Sequence, residues 1–268
     1  MDRPPRFCWV DGALLPIDEP AVVASDSAFC VGRGCYTTAR IRNGHVRFVD
    51  HHAARLARDA RLLGLGEVDP KRVAQAFEEL GRACFDDDTG GIVRVQASRD
   101  ASGRLHLTAL PRGTGAEADT WTACISSVTH EGPMPWSGVK VSNHLLLALA
   151  SDRAREAGAD EALLLDRDGY LVEGSRSNVV VVTGDGETAT PDLSRGGVAG
   201  VGLQVLNERG AQIRVRHLPG SELTEAVELI AVNAVRGPRP IVALDGRPVG
   251  EGRPGPVATR LADCFEAD

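Results

Sequence analysis

The sequence predicts an α+β fold in two domains. Strand-like and helix-like periodicities come in blocks, without the strict βα alternation of a parallel sheet. A stretch from Pro111 to Asp119 has no periodicity and is rich in turn formers, which marks an interdomain linker. Glycine-punctuated loops are concentrated beyond that stretch. The expected division is an N-terminal α+β domain over 1–110, a linker over 111–120 and a larger C-terminal domain over 121–268. With 268 residues, the chain is long enough to bury a substantial core in each part.

Cys8 to Ile17 reads as a hairpin around Asp11-Gly12. Ser25 to Phe29 enters a glycine-spaced loop, Val31 to Gly34, and Cys35 to Ile41 follows as a strand rich in β-formers. Asn43-Gly44 turns the chain into a second strand, His45 to Val49. Asp50 is placed to N-cap a helix from His51 to Leu63, which Gly64 closes. On that helix Leu56, Ala60 and Leu63 share a face, with Arg55 at its margin. A further helix runs from about Asp69 to Phe85, with Val73, Phe77 and Leu80 facing one way. An acidic turn follows at Asp86 to Gly91, then strands at Ile92 to Ser98 and Leu105 to Leu110.

The second part opens with a strand at Thr122 to Val128. A loop with Pro133 and Pro135 leads to a strand carrying Lys140. Asn143 is placed to cap a helix from His144 to Ala157, ended by Gly158. Ala162 to Asp166 and Tyr170 to Val172 read as strands around a turn at Asp168-Gly169. Glu173 to Asn178 interrupts the pairing before a buried strand, Val179 to Val182. A glycine-rich stretch, Gly196 to Gly202, precedes a helix starting near Leu203. Beyond it lie a helix at Glu222 to Ala226, a strand at Glu228 to Val232, a turn at Asn233 to Pro240 and a helical tail from Gly255.

A formal net charge of −7, with arginines interspersed among acids, excludes the concentrated basic face that a nucleic-acid partner requires. No apolar run approaches the roughly 20 residues that span a bilayer, so no membrane partner is expected. The N-terminus carries no apolar segment of the signal-peptide kind. Six cysteines without CxxC spacing point to reduced thiols and a cytoplasmic location, not to a disulfide framework. Seven histidines show no metal-ligand spacing, so no metal site is expected.

Only Lys71 and Lys140 among the 30 basic residues are lysine. Lys71 follows Asp69-Pro70 at a helix start and reads as surface. Lys140 lies between two valines, where partial desolvation favours a neutral amine able to form an imine with a carbonyl. The same setting also suits an edge-strand lysine with a packed stem and a solvated head. Three other features could join it. Arg55 is either solvated or drawn to an anion, and Glu173 either caps a turn or serves as a buried carboxylate. The glycine-rich stretch before a helix could hold a phosphate on backbone N–H groups. Together, a lysine, a carboxylate, an arginine and a glycine-rich helix entry are what a pyridoxal phosphate site needs. A serine-nucleophile elbow, G-x-S-x-G, is absent.

From about residue 8 to the C-terminus the chain resembles the class IV aminotransferase family of pyridoxal phosphate enzymes, the fold type IV group that includes D-amino acid aminotransferase. The matching words are Asp26-x-x-Phe29, Gly34-Cys35-Tyr36-Thr37-Thr38-Ala39-Arg40, His52-x-x-Arg55-Leu56 and Lys140-x-x-Asn143. They continue with Asp160 to Asp166, Glu173-Gly174-x-x-x-Asn178, Gly197-Val198-x-Gly200-Val201 and Asn233-Ala234. The resemblance implies a smaller N-terminal and a larger C-terminal domain, with Lys140 as the Schiff-base lysine in the latter. It implies Glu173 as the partner of the pyridine nitrogen and Arg55 as a phosphate ligand. Val201, Gly202 and Ala234 are implied as further phosphate contacts, mainly through backbone. It also implies a small-molecule substrate and a homodimer.

Within the family, Gly-Cys-Tyr-Thr-Thr-Ala-Arg, Lys-x-x-Asn, Gly-Val-x-Gly-Val and Val-Asn-Ala are similar to the lyases that act on 4-amino-4-deoxychorismate. That likeness implies release of 4-aminobenzoate and pyruvate for folate synthesis, with Thr38 assisting proton transfer beside Lys140. Transaminases of the family usually carry Glu-x-Ile-Arg at Thr37 to Arg40 and Gly-Ile-Thr-Arg at Gly200 to Leu203. Activity on a D-, branched-chain or other amino acid is the alternative, and a non-catalytic cofactor-binding relative a third. Ser27 stands where an arginine is common. Arg99 and Arg104 are candidates for binding the dicarboxylate substrate, with Tyr36 and Asn233 as further substrate contacts.

Overall fold

The structure is a computed structural model describing residues 6–85, 90–115 and 118–267. Most of the acidic turn expected at Asp86 to Gly91, and positions 116 and 117 of the expected linker, lie outside the described residues. The chain forms two compact units, Met1–Glu117 with Val139–Asn143, and Ala118–Gly138 with His144–Asp268. Lys140 therefore belongs to the first unit.

The first unit contains β1 (Phe7–Val10), β2 (Ala13–Pro16), α1 (Ser27–Val31), β3 (Cys35–Arg42) and β4 (His45–Val46). It continues with α2 (Val49–Leu62), α3 (Pro70–Cys84), β5 (Gly91–Arg99) and β6 (Leu105–Arg112). Its sheet is antiparallel, in the order β2-β1-β6-β5-β3-β4. Both tight hairpins are set by left-handed pairs, Asp11-Gly12 (φ 51° and 108°) and Asn43-Gly44 (φ 51° and 72°). Strand alternation sends Cys35, Ala39 and Ile41 of β3, with Val93, Val95 and Ala97 of β5, into the core. Leu56 and Ala60 of α2, with Val73, Phe77 and Leu80 of α3, complete that core. The other parity leaves Tyr36, Thr38, Arg40, Arg94 and Gln96 on the opposite sheet face.

Three local expectations change here. The entry to the expected Val31–Gly34 loop is a short helix, Ser27–Val31, because the buried Asp26 carboxylate accepts from Ala28 N (2.9 Å) and Phe29 N (3.0 Å). Five residues are too few to show a helical period. The strand after Asn43-Gly44 stops at Val46, and α2 starts at Val49 behind Phe48 (φ 55°). Asp50 is thus a first-turn residue, where its charge suits the helix dipole, and not the cap. β6 extends through Arg112, so a strand takes the first two positions expected in the linker.

The second unit contains β7 (Trp121–Ile125), α4 (Leu145–Glu156), β8 (Glu161–Leu165), β9 (Leu171–Gly174), β10 (Asn178–Val182) and β11 (Thr188–Pro191). After them come α5 (Val201–Glu208), β12 (Arg214–Arg216), α6 (Glu222–Glu225), β13 (Glu228–Asn233), β14 (Gly237–Leu244), β15 (Arg247–Pro248) and α7 (Pro256–Glu266). Its mixed sheet runs β12-β11-β10-β13-β14-β7-β8-β9, with β15 beside β14. The pairs β7–β8, β7–β14 and β11–β12 are parallel. Leu163, Leu171, Val179, Val181, Leu229 and Ile241 lie in its core.

The strand expected around Lys140 is an irregular segment held by isolated bridges, Gly138 to Val198 and Cys35 to Val141. Asn143 does not cap α4. His144 takes that position without a side-chain cap bond. β14 replaces the second half of the turn expected from Asn233 to Pro240, since Pro238 and Pro240 hide a strand that pairs with β13.

Candidate active site

In the first unit, Lys140 is held at its backbone from two sides. Tyr36 N donates to Lys140 O (3.0 Å), and Lys140 N donates to Asp59 Oδ2 (3.0 Å). Its Nζ lies 4.9 Å from the centroid of the Tyr36 ring. Arg94 stacks over the same ring at 3.6 Å. Thr38 is two residues beyond Tyr36 on β3, so its side chain shares that sheet face.

Arg55 is buried on α2, and its Nη2 donates to Thr37 Oγ1 (2.6 Å). Its Nε has no hydrogen-bond partner among the described residues. Burial is the main cause that lowers the Arg55 guanidinium to about 10, against the pull of Asp59, so it stays cationic at neutral pH. Asp59, one helical turn on and fully buried, takes Arg58 Nε (2.9 Å) and Nη2 (2.6 Å) on Oδ1. Its second oxygen is the one that anchors Lys140. A buried cation bound to a neutral hydroxyl, with an unpartnered N–H, is suited to an anion.

In the second unit, Glu173 is buried on β9 and its Oε2 accepts from Val198 N (3.0 Å). His130 Nε2 stands 3.9 Å from Glu173 Oε1. His130 Nδ1 accepts from Gly132 N (3.0 Å), and burial lowers the imidazole below its ordinary range, so the ring is neutral with its proton on Nε2. The glycine-rich stretch enters α5 with Gly200 at the cap position and no side-chain cap bond. A Cβ on Gly200 would lie 1.9 Å from Asn178 Oδ1, and one on Gly202 would lie 2.8 Å from Asn233 C and 3.1 Å from Ala234 N. Only glycine lets the first turn of α5 approach the Asn233–Ala234 corner so closely, bringing backbone of Gly202 and Ala234 together at a positive helix end.

Other candidates are placed differently. Asn233 accepts from Val235 N (3.1 Å) and Arg236 N (2.8 Å), so its carbonyl oxygen closes the turn after β13. Arg104 is largely exposed and pairs with Asp11 at 3.5 Å. Arg99 donates from Nε to Gly103 O (2.9 Å) and lines a cavity of about 250 Å³ with Ser27, Arg33, Leu65 and Asp100. Thr37 and His52 stand in the matching words of the sequence without a role assigned to them, and Asp59 and His130 were not singled out. Only the spacing of Arg55 and Asp59, one turn apart on a helix, could have pointed to Asp59.

Each unit by itself carries part of what a pyridoxal phosphate enzyme needs: the first a lysine and a buried arginine with an unpartnered N–H, the second a buried carboxylate and a glycine-lined helix entry. The chain belongs to the amino-transferase class IV family, whose profile matches residues 34–244. It is 27% identical to a D-alanine aminotransferase of Bacillus licheniformis over 96% of this chain and 94% of that one. It is 28% identical to a bifunctional aminodeoxychorismate lyase / D-amino acid transaminase of Mycobacterium tuberculosis, over 96% of each. It is 26% identical to the branched-chain-amino-acid aminotransferase of Escherichia coli K12, over 97% of this chain and 91% of that one. Among solved structures, a hypothetical aminotransferase from Mycobacterium tuberculosis in an alpha-ketoglutarate and PMP bound form has a TM-score of 0.85 at 25% identity. That match covers 97% of this chain and 98% of the other.

Proposed function

We propose that this enzyme is a lyase that converts 4-amino-4-deoxychorismate to 4-aminobenzoate and pyruvate. The observation that carries the reading is the sheet face around Tyr36. It presents a hydroxyl, Thr38, on the strand that fixes the Lys140 backbone, and the Arg94 guanidinium stacked over Tyr36 at 3.6 Å. Arg40 and Arg94 share the parity of Thr38 on β3 and β5, and Arg112 acts electrostatically on Arg94. A dicarboxylate substrate is matched by such a face, and a branched aliphatic side chain is not. The bifunctional mycobacterial relative supports the same reading.

When bound, pyridoxal 5′-phosphate supplies an electron sink for the pair left by deprotonating an amine-bearing carbon. On this reading Lys140 would hold the cofactor, and its amine would take that proton with Thr38 beside it. In the first unit Arg55 would hold the phosphate, and in the second the backbone N–H groups of Val201, Gly202 and Ala234 are the candidates for that task. Glu173 would keep the ring nitrogen protonated, and Tyr36 would contact substrate; Arg99 has the parity of Ala97 and lies on the other side of the sheet from Tyr36. The enzyme is read as a cytoplasmic homodimer.

The D-alanine and branched-chain relatives favour a second reading, amino transfer to a 2-oxo acid. Incubating the cofactor-loaded protein with 4-amino-4-deoxychorismate and following 4-aminobenzoate decides between them. Release that is lost in Lys140→Ala is expected; transfer without release would overturn the lyase.

A further inference from the structure

The hydrogen bonds around Arg55 have a direction. A guanidinium can only donate, so the Thr37 oxygen accepts from Arg55 Nη2 (2.6 Å). The single Thr37 proton is then left for its other partner, His52 Nδ1, at 2.7 Å. That assignment places the imidazole proton on Nε2, which has no hydrogen-bond partner among the described residues. Thr37 and His52 are both fully buried, and His52 lies against the Phe77 ring at 5.8 Å. Burial, with Arg55 close by, holds His52 well below its ordinary range and therefore neutral.

The Arg55–Thr37–His52 chain thus contains no anion. The nearby carboxylate, Asp59, is occupied by Arg58 on one oxygen and by the Lys140 backbone on the other. Asp59 acts on Arg55 through its charge alone, and the guanidinium makes no hydrogen bond to a carboxylate among the described residues.

We propose that Thr37 and His52 are positioning residues for the cofactor phosphate: they aim the Arg55 guanidinium without neutralising it. The Thr37 hydroxyl fixes Nη2, and His52 fixes the hydroxyl by accepting its proton. Thr37 and Thr38, adjacent on β3, then have separate tasks on opposite sheet faces. The inference holds for either reaction considered above.

The test compares binding of pyridoxal 5′-phosphate with binding of pyridoxal, which lacks the phosphate, and needs no turnover. The selectivity is the ratio of the two Kd values, read from the absorbance of the protein-bound cofactor. Thr37→Val keeps side-chain shape but removes the hydroxyl, and is expected to lower the selectivity about ten-fold. Thr37→Ser keeps the hydroxyl and is expected to stay within about two-fold of the parent. His52→Leu takes away the acceptor and should shift the ratio in the same direction as Thr37→Val. A merely structural role would weaken both ligands in parallel. An unchanged ratio in Thr37→Val overturns the proposal, whether the two affinities stay or fall together. If Thr37→Val does not fold, Thr37→Ala and His52→Leu decide by the same ratio.

Discussion

Asp59→Asn is the most demanding test of how α2 builds the first unit. The carboxylate uses both oxygens, Oδ1 for Arg58 and Oδ2 for the backbone N–H of Lys140. Asparagine retains one oxygen, so either rotamer sets its NH₂ against an existing donor. The less costly arrangement keeps the oxygen on Lys140 N and turns the NH₂ toward Arg58, whose side chain is 43% exposed and can swing into water. Removing one partner of a fully buried ion pair costs about 3–5 kcal/mol. Exposure of Arg58 screens its side of the pair, which brings the expected loss to about 2–3 kcal/mol. Part of that loss is the charge balance with Arg55, which Asp59 helps to keep protonated. Urea unfolding of the parent and the variant measures the loss. Trapping the cofactor on Lys140 by borohydride reduction, followed by peptide mass mapping, shows whether the lysine is still placed. Destabilisation with labelling retained is the expected result. A change below about 0.5 kcal/mol would refute the role given to Asp59.

Two further predictions follow from the second unit. Gly202→Ala forces a Cβ to within 2.8 Å of the Asn233 carbonyl carbon, which must move the turn away from α5. Its expected effect is about a ten-fold loss in affinity for pyridoxal 5′-phosphate, measured by titration, with far-ultraviolet circular dichroism unchanged. Glu161 is fully buried, accepting from Ser175 Oγ, Ala162 N (3.0 Å) and Ser177 Oγ (2.8 Å). Burial outweighs these bonds and raises its carboxyl above the ordinary range. The unfolded chain therefore releases this proton at lower pH than the native one. The stabilising contribution is complete below the ordinary carboxylate range and is lost as pH rises through the raised value. Urea unfolding across that range should show stability falling by roughly 1.4 kcal/mol per unit of displacement, and less steeply in Glu161→Gln. Equal slopes in the two proteins would contradict that account.

How much of this was readable beforehand depended on the range of the interaction that decides each residue's place. Periodicity over ten or more residues gave α3 and the six-stranded half of the protein, because local alternation and the Asn43-Gly44 turn are sufficient there. Lys140 could be singled out because lysine is scarce in this chain, and Arg55, Glu173 and the glycine stretch are what such a lysine needs. Local rules failed where tertiary contacts decide. Asn143 has the chemistry of a cap, yet a Cβ on Gly32 would sit 2.7 Å from its side chain, and α4 starts behind His144 instead.

Asp59 and Thr37 show why the supporting residues were harder to find than the reactive ones. In sequence, Asp59 beside Arg58 is an ordinary surface pair, since nothing local says that residues 139–143 will cover it. Once covered, it becomes the atom-level link between the helix that carries Arg55 and the backbone of Lys140. Thr37 and Thr38 are chemically identical, and only strand parity separates them. One oxygen turns inward to orient a cation and the other stays on the face that carries Tyr36. An exchange of inward and outward tasks would need a one-residue slip of β3 against β5, and the continuous register from Cys35–Ala97 to Ile41–Gly91 prevents it. The division of labour between the two threonines is therefore a property of the sheet, set by register before any ligand is bound.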